Sequence, residues 1–184
     1  MSSWIVRLHA AATRLKSTER KGWRLRGVRD PESVADHSLA LAVLSVAVAA
    51  SRGLDPGKAA VIAVLHDVAE SYTGDLTPEE KDHMGEERLS ELEDSALERI
   101  LEGAPPAVRK LVKEALEEYR SGSSPEARLV RDLDKLEMAL TALEYRDQLG
   151  PAGVMEFLDS AARSVNDNEV SELIGGLVRG LSTS

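Results

Sequence analysis

Residues 61–74 read VIAVLHDVAESYTG, an apolar helical run that leads into a consecutive histidine and aspartate. Neighbouring side chains on a helix point about 100° apart, so His66 and Asp67 reach one common point only beside the helix and between them. A metal ion satisfies that geometry. Glu70 lies four residues after His66 and shares its face, so its carboxylate stands beside the same point. An isolated His-Asp pair is also common at surfaces and helix caps, so this stretch needs support from elsewhere in the chain.

The composition is typical of an all-α protein. The chain has 184 residues, enough for one domain with a real core, and we interpret residues 1–184 as a single domain. Aromatic residues make up only 3% of the chain, and its β-branched residues are scattered rather than alternating. Because the chain has no cysteine, disulfides, thiolate zinc sites and a cysteine nucleophile are excluded.

Nothing in the sequence indicates a membrane protein or a nucleic-acid-binding protein. The segment MSSWIVRLHAAATRLK lacks a long apolar region, and the apolar run at 39–50 is too short to span a bilayer. The net charge is −9; residues 1–30 carry +6, which leaves −15 for the remainder. An acidic chain is poorly suited to nucleic-acid polymers, although a local basic edge suits one small phosphate compound. We expect a soluble cytoplasmic protein.

Start and stop signals divide the chain into helices. Asp30-Pro31 and Asp55-Pro56 each predict a helix start, and Gly53 predicts the end of the first of these two helices. The second would carry residues 66–70. A leucine stripe from Leu129 to Leu143 predicts a long helix over about 125–148. Further helices are predicted at about 3–16, 107–119, 152–163 and 168–180, with a solvated, highly charged helical region with few apolar anchors at 77–102.

Two further residues on other helices are candidate metal ligands. His37 lies on an apolar helix face. A histidine there that binds no metal is usually a core residue whose ring is hydrogen-bonded to a backbone carbonyl. Asp134 borders the leucine stripe, and acids there are rarely buried unless they are paired or bind metal. With His66 and Asp67 they make two imidazoles and two carboxylates, which suit Mn²⁺, Fe²⁺, Co²⁺, Ni²⁺ or Zn²⁺ rather than Ca²⁺. Four protein ligands leave positions for water and a phosphate, as in hydrolytic metal sites.

A polar connector at 17–29 brings cations and an aromatic residue together. Arg20, Lys21 and Trp23 could grip a phosphate and stack on a base, or Trp23 could simply cover the core. Asp75, in the turn that follows Gly74, is by itself explained as a turn former.

Four segments together resemble the HD-domain phosphohydrolase superfamily, and within it the 5′-deoxynucleotidases. They are RKGW at 20–23, PESVADHS at 31–38, LHDVAESYTGDLTP at 65–78 and LVRDLDKLEMAL at 129–140. The resemblance covers about 15–168. It implies an all-α helical bundle, the HD domain, with the metal site between its central helices.

The resemblance implies that His37, His66, Asp67 and Asp134 bind one divalent transition metal. Mn²⁺ or Co²⁺ is the expected ion, and Mg²⁺, Fe²⁺, Ni²⁺ and Zn²⁺ are alternatives. Asp134 is preferred over Asp132 because it precedes the Lys-Leu-Glu run, as it does in the family.

The resemblance also implies roles beyond the metal. Glu70 would be the catalytic acid beside the scissile phosphate, and Asp75 would lie near the sugar and the active-site water. Arg20 would bind the phosphate, although Lys21 and Arg24 are close enough in sequence to do so instead. Trp23 would shape the sugar pocket against a 2′-hydroxyl.

The expected function is therefore hydrolysis of deoxyribonucleoside 5′-monophosphates by a homodimer, with the apolar C-terminal helices as one surface for the contact. A second interpretation keeps the metal site but changes the substrate to a deoxynucleoside triphosphate, a cyclic nucleotide or a pyrophosphate. A third is a non-catalytic nucleotide-binding protein on the same helices, although such a protein would need no proton donor.

Overall fold

The computed structural model describes residues 3–182, which form helices joined by short connections. Within that range the only strand-like pairing is one isolated bridge between Glu19 and Ser33, so the all-α prediction is confirmed. The helices, in chain order, are α1 (Ser3–Leu15), α2 (Lys21–Leu25), α3 (Val34–Ser51), α4 (Pro56–Leu65), α5 (Glu70–Thr73), α6 (Pro78–Met84), α7 (Glu86–Ile100), α8 (Pro106–Ser121), α9 (Pro125–Glu144), α10 (Arg146–Ser164) and α11 (Asn168–Ser182).

Helix α9 is the centre of the main core. Ser124 caps its start by accepting a hydrogen bond from the backbone N–H of Ala127, and Pro125 occupies the first helical position. α3, α4, α10 and α11 pack around it. Leu133, in the predicted stripe, is 1% exposed and Leu143 packs against the core, whereas Leu140 is 37% exposed and lies at the edge of the buried face. A second apolar cluster joins α1, α7 and α8.

Helix α3 begins three residues later than its Asp-Pro signal predicts. Ser33 is the N-cap: its hydroxyl accepts the backbone N–H of Asp36, and the Asp36 carboxylate accepts the N–H of Ser33. This capping box satisfies two backbone donors at once, so it sets the boundary and the prediction of a start at Asp30 is wrong. The start of α4 is as predicted, because Asp55 accepts two backbone N–H groups.

The helix that leads into His66 ends sooner than predicted. α4 stops at Leu65, and residues 66–69 form a tight turn before α5. In this turn the N–H of Val68 bonds to Leu65 and that of Glu70 to Asp67, three residues back rather than four. Glu70 therefore opens a separate helix, and it does not lie one turn beyond His66 on a continuous helix.

Other boundaries also differ from the predictions. The charged region forms two helices, α6 and α7, separated at Gly85, whose φ is +81°, and α7 buries Leu97 and Ile100 against the second cluster. The long helix α9 ends at Glu144, and α10 starts immediately and bends at Gly150 (φ +66°). The expectation of few apolar anchors over residues 77–102 was wrong, because α7 gathers its apolar residues on one narrow face that packs into the second cluster.

By length and composition alone α3 could cross a membrane, since its 18 residues have a mean hydropathy of 1.7. It instead packs along α4 and α9 and buries seven residues, as a core helix does. The predictions of no membrane association and of one domain over 1–184 stay predictions, and residues 1–2 and 183–184 lie outside the described residues.

Candidate metal centre

The four predicted ligands converge on one point between α3, the turn after α4, and α9. The Nε2 atoms of His37 and His66 are 3.3 Å apart, and Asp134 Oδ1 is 3.2 Å from His37 Nε2. Asp67 Oδ2 lies 2.9 Å from His66 Nε2 and 3.9 Å from His37 Nε2. Adjacent donors that bind one ion at about 2.1 Å are separated by roughly 3.0–3.4 Å, so the spacings among His37, His66 and Asp134 fit a single transition-metal ion. Asp67 lies within reach on the His66 side, although its 3.9 Å separation from His37 is longer than that range.

Both imidazoles are oriented by their other nitrogen. His37 Nδ1 lies 2.7 Å from a carboxylate oxygen of Glu137, and His66 Nδ1 lies 2.8 Å from the carbonyl oxygen of Ala63. With an ion bound, each neutral ring would carry its proton on Nδ1, so each Nε2 would present a lone pair to the common point. Metal-binding histidines are held in this way, so the donor set fits a divalent cation.

The structure separates the two aspartates on α9. Asp134 faces the cluster, where its Oδ2 accepts hydrogen bonds from Tyr119 at 3.2 Å and from the Lys135 ammonium at 2.8 Å. Asp132 faces away and accepts the backbone N–H groups of Asn166 and Asp167 at 3.0 and 3.1 Å. Asp132 therefore fastens the segment between α10 and α11, which supports Asp134 as the ligand.

The charges of the cluster are mutually dependent. Burial raises the pKa of Asp67, but the positive charge of His66 outweighs it and holds that pKa below its usual value. Lys135 and His37 likewise outweigh burial at Asp134, whose pKa lies well below its usual value. Burial and the charge of Arg20 lower the pKa of His37, but its hydrogen bonds to the carboxylates of Asp134 and Glu137 outweigh them and raise it to about 9 in the metal-free protein. The donors thus form a compact site in which carboxylates offset imidazole charge.

Glu70 lies beside the cluster, at the wall of a cavity of about 470 Å³. Its Oε2 is buried and has no hydrogen-bond partner within residues 3–182. Burial, followed by the negative charges of Asp67 and Asp75, raises the pKa of Glu70 to about 9. The carboxyl group therefore holds a proton at neutral pH and can donate it to a molecule in the cavity.

The structure distinguishes the three cations of the connector that were candidates for binding the phosphate. Arg20 lines the cavity, and one of its terminal nitrogens lies 3.8 Å from Asp67 Oδ2. Lys21 turns away to pair with Glu80, and Arg24 pairs with Glu19. Of the three, only Arg20 is placed to meet a phosphate beside the metal ligands.

Trp23 is part of the core as well as of the cavity wall. Its side chain is 2% exposed, and its ring packs 4.2 Å from that of Phe157 and edge-on to Tyr145 at 5.4 Å. A ring buried to this degree has no free face for a base, so stacking on a base was a wrong expectation. Its position at the cavity wall leaves the sugar-pocket role as a prediction.

Asp75 has a structural contact that the turn interpretation did not include. Its Oδ2 accepts the backbone N–H of Lys21 at 2.5 Å, which fastens the start of α2 to the loop after α5. It also lines the cavity, so it lies where the sugar role would place it.

Residues 12–173 match the HD domain family. The chain belongs to that family. It is 36% identical to the human 5′-deoxynucleotidase HDDC2 over 92% of this chain and 82% of the human one. It is 37% identical to the 5′-deoxynucleotidase hdd1 of Schizosaccharomyces pombe, over 72% of this chain and 68% of the yeast one. Among solved structures, a conserved hypothetical protein from Pyrococcus furiosus superposes with a TM-score of 0.73 at 30% identity, covering 97% of this chain and 99% of the other.

Three residues around this HD-domain centre were missed by the sequence interpretation. Glu137, which orients His37, lies three residues after Asp134 on the same face of α9, and that spacing could have identified it. Glu32 lies inside the quoted segment PESVADHS but carried no expected role. Tyr119, whose ring lies 5.0 Å from that of His66, had no sequence signal, because it comes from α8 and reaches the site through tertiary packing.

Proposed function

We propose that this HD-domain protein is a metal-dependent 5′-deoxynucleotidase that converts deoxyribonucleoside 5′-monophosphates to deoxynucleoside and phosphate. The observation that carries the proposal is one cavity lined by His66, Asp67 and Asp134 together with the Glu70 carboxyl and the Arg20 guanidinium. The buried imidazole of His37 completes the donor group from behind the cavity wall, 3.3 Å from His66. The relatives that carry the name 5′-deoxynucleotidase support the choice of substrate.

His37, His66, Asp67 and Asp134 would hold one divalent cation, and their two imidazoles and two carboxylates suit Mn²⁺ or Co²⁺ and also accommodate Mg²⁺, Fe²⁺, Ni²⁺ or Zn²⁺. When bound, such an ion supplies charge neutralisation at phosphate oxygens and a water of lowered pKa.

The chain's own groups would handle the phosphate and the leaving group. Arg20 would bind phosphate oxygens, because its planar guanidinium matches two oxygens at once and it lies 3.8 Å from the ligand Asp67. Glu70 would donate its proton to the 5′-oxygen as the bond to phosphorus breaks. General-acid help of this kind is worth about 10²–10⁴-fold in rate. The buried Oε2 without a partner is the oxygen that such a substrate atom would satisfy.

The sugar would lie between Asp75 and Trp23. Both line the cavity, and both are held from behind, Asp75 by the backbone of Lys21 and Trp23 by its packing on Phe157. A rigid wall at this point would discriminate against the extra volume of a 2′-hydroxyl.

Phosphate release from 5′-dNMPs, 5′-NMPs, dNTPs and cyclic nucleotides tests the proposal. The protein would be stripped of metal and then supplied with Mn²⁺, Co²⁺, Mg²⁺ or Zn²⁺. We expect metal-dependent release from dNMPs in preference to the other classes, and release slowed by about 10²–10⁴-fold in a Glu70→Gln variant purified in parallel. Activity confined to another class of nucleotide would change the substrate assignment. Phosphate release by Glu70→Gln at the same rate as by wild type would indicate a contaminating phosphatase. A metal-loaded protein inactive on the whole panel would contradict the proposal.

A homodimer and a cytoplasmic location stay predictions. One surface supports the dimer: Leu39, Val43 and Val46 of α3 are 67%, 62% and 42% exposed and recur at helical spacing, as one apolar stripe. This surface differs from the predicted C-terminal one, where Leu173 of α11 is 53% exposed. Light scattering of the intact protein would measure the mass.

A further inference from the structure

Glu32 lies behind the cavity wall, in contact with two residues that the proposed function places in front of it. Its Oε1 accepts a hydrogen bond from the indole Nε1 of Trp23 at 2.9 Å and lies 3.7 Å from Nε of Arg20. Its backbone carbonyl also accepts the N–H of Arg20 at 3.0 Å. Glu32 thus contacts both Arg20, the candidate for binding the phosphate, and Trp23, the candidate for shaping the sugar pocket.

Glu32 is itself held firmly enough to act as a support. Its N–H donates to the hydroxyl of Tyr145 at 2.8 Å, and its side chain is 12% exposed. Ser33, the next residue, forms the capping box that starts α3, and it pairs with Glu19 in the isolated bridge. The carboxylate therefore projects from backbone that is fastened on both sides.

The geometry of Arg20 depends on where its Nε is held. A guanidinium is planar and rigid, so a carboxylate that forms an ion pair on the Nε side, here at 3.7 Å, favours one direction of the two terminal nitrogens. With Glu32 on the Nε side, one terminal nitrogen lies 3.8 Å from Asp67 Oδ2 at the edge of the metal centre. In this orientation the terminal nitrogens would face a phosphate bound beside the metal centre.

We propose that Glu32 is a positioning residue that sets the orientation of the Arg20 guanidinium and the Trp23 ring together, and so links the grip on the phosphate to the fit of the sugar. This inference rests on the proposed function, because the substrate gives both contacts their meaning.

A positioning role of Glu32 and an effect of its charge alone predict opposite changes in anion affinity when Glu32 is replaced. If Glu32 contributed only its negative charge, removing it would tighten the binding of an anion, because one repulsive charge would leave the surroundings. If Glu32 orients Arg20, its removal weakens binding, because the guanidinium is free to turn. The sign of the change therefore decides between the two.

Steady-state kinetics of the metal-loaded protein with dAMP and AMP give the first test. Glu32→Gln keeps an oxygen for the Trp23 N–H but loses the pairing with Arg20, so we expect KM to rise about tenfold for both substrates, with an unchanged dAMP-to-AMP preference. Glu32→Asp keeps the charge but shortens its reach to both partners, so KM should rise and the preference should also fall. In both variants kcat should change less than KM.

Glu156→Gln is the matched control. Glu156 pairs with Arg26 at the same cavity, so this variant removes one negative charge there without touching Arg20 or Trp23. We expect its KM to stay the same or fall. A lower KM in Glu32→Gln, as in this control, would overturn the positioning role, and so would wild-type kinetics in Glu32→Asp.

Binding of inorganic phosphate gives a readout that does not depend on turnover. In a Trp4→Phe background Trp23 is the only tryptophan, so its emission reports on the cavity wall as phosphate is added to the metal-loaded protein. We expect the Kd for phosphate to rise about tenfold when Glu32→Gln is added. An unchanged Kd would contradict the inference even if dNMP hydrolysis is found. A raised Kd in a protein that hydrolyses no dNMP would support the inference while the proposed function fails.

Discussion

The Nδ1 atom of His37 lies 2.7 Å from a carboxylate oxygen of Glu137, although the two residues are 100 positions apart in the chain. Both side chains are buried, and the other Glu137 oxygen accepts the hydroxyl of Thr141 at 3.1 Å. This pair fixes the direction of the His37 ring and joins α3 to α9 at the metal centre.

Replacing Glu137 by glutamine should weaken metal binding. The amide is a poorer acceptor for the imidazole N–H, so the ring would be less firmly oriented and less basic. We expect a loss of affinity for Mn²⁺ or Zn²⁺ of about 10–100-fold, measured by competition with a fluorescent chelator. Glu126→Gln is the control, because Glu126 is also buried on α9 but accepts the backbone N–H of Asp55. Equal affinities in wild type and Glu137→Gln would contradict the orienting role.

Replacing Glu70 by glutamine should slow catalysis strongly and leave the metal in place. Glutamine has nearly the same shape but no acidic proton to give to the leaving oxygen, so the rate of dNMP hydrolysis should fall by about 10²–10⁴-fold. Metal content after dialysis would be measured alongside by atomic emission. Loss of metal from the variant would show that Glu70 supports the metal centre instead of acting as the acid.

The same variant should also change how stability depends on pH. Burial, with the charges of Asp67 and Asp75, raises the folded-state pKa of Glu70 to about 9 from 4.5. The stability contributed by the protonated form is fully present below about pH 4.5 and is lost as the pH rises towards 9, because the unfolded chain releases this proton and the folded one keeps it. At pH 7 the raised pKa of Glu70 lowers the free energy of unfolding by about 3 kcal/mol relative to acidic pH.

Urea unfolding of metal-free protein between pH 5 and pH 9 would measure this effect. Glu70→Gln lacks the titration, so its advantage in unfolding free energy over wild type should grow with pH. A constant difference between the two proteins across that range would contradict the raised pKa.

Asp132 and Asp134 should behave differently when each is changed to asparagine. Asp134→Asn removes a charged ligand and should strongly weaken metal binding. Asp132→Asn should leave metal affinity unchanged and cost about 1–2 kcal/mol of stability, because the backbone N–H groups of Asn166 and Asp167 lose a charged acceptor. Chelator competition and thermal unfolding of both variants would test this, and the reverse pattern would exchange the two assignments.

Local signals in the sequence were enough to predict much of the fold. The Asp55-Pro56 start and the start of α9 at Pro125 are where they were predicted, because caps and apolar periodicity act within a few residues. Errors occurred where two local signals competed. Ser33 and Asp36 form a reciprocal cap that Asp30-Pro31 could not match, and the tight turn at 66–69 interrupts a run whose composition is helical throughout.

By itself, the sequence determined the helical class, the family and the order of the candidate ligands, because residue type and spacing along one chain carry that information. Two aspartates two positions apart on a helix point about 200° from each other, so only one of Asp132 and Asp134 can face the site. Which one does so was decided by how α9 packs against α3 and α10. The tertiary structure alone brought Glu137 to His37 and Glu32 to both Arg20 and Trp23, because these contacts depend on the folded arrangement of separate helices and loops.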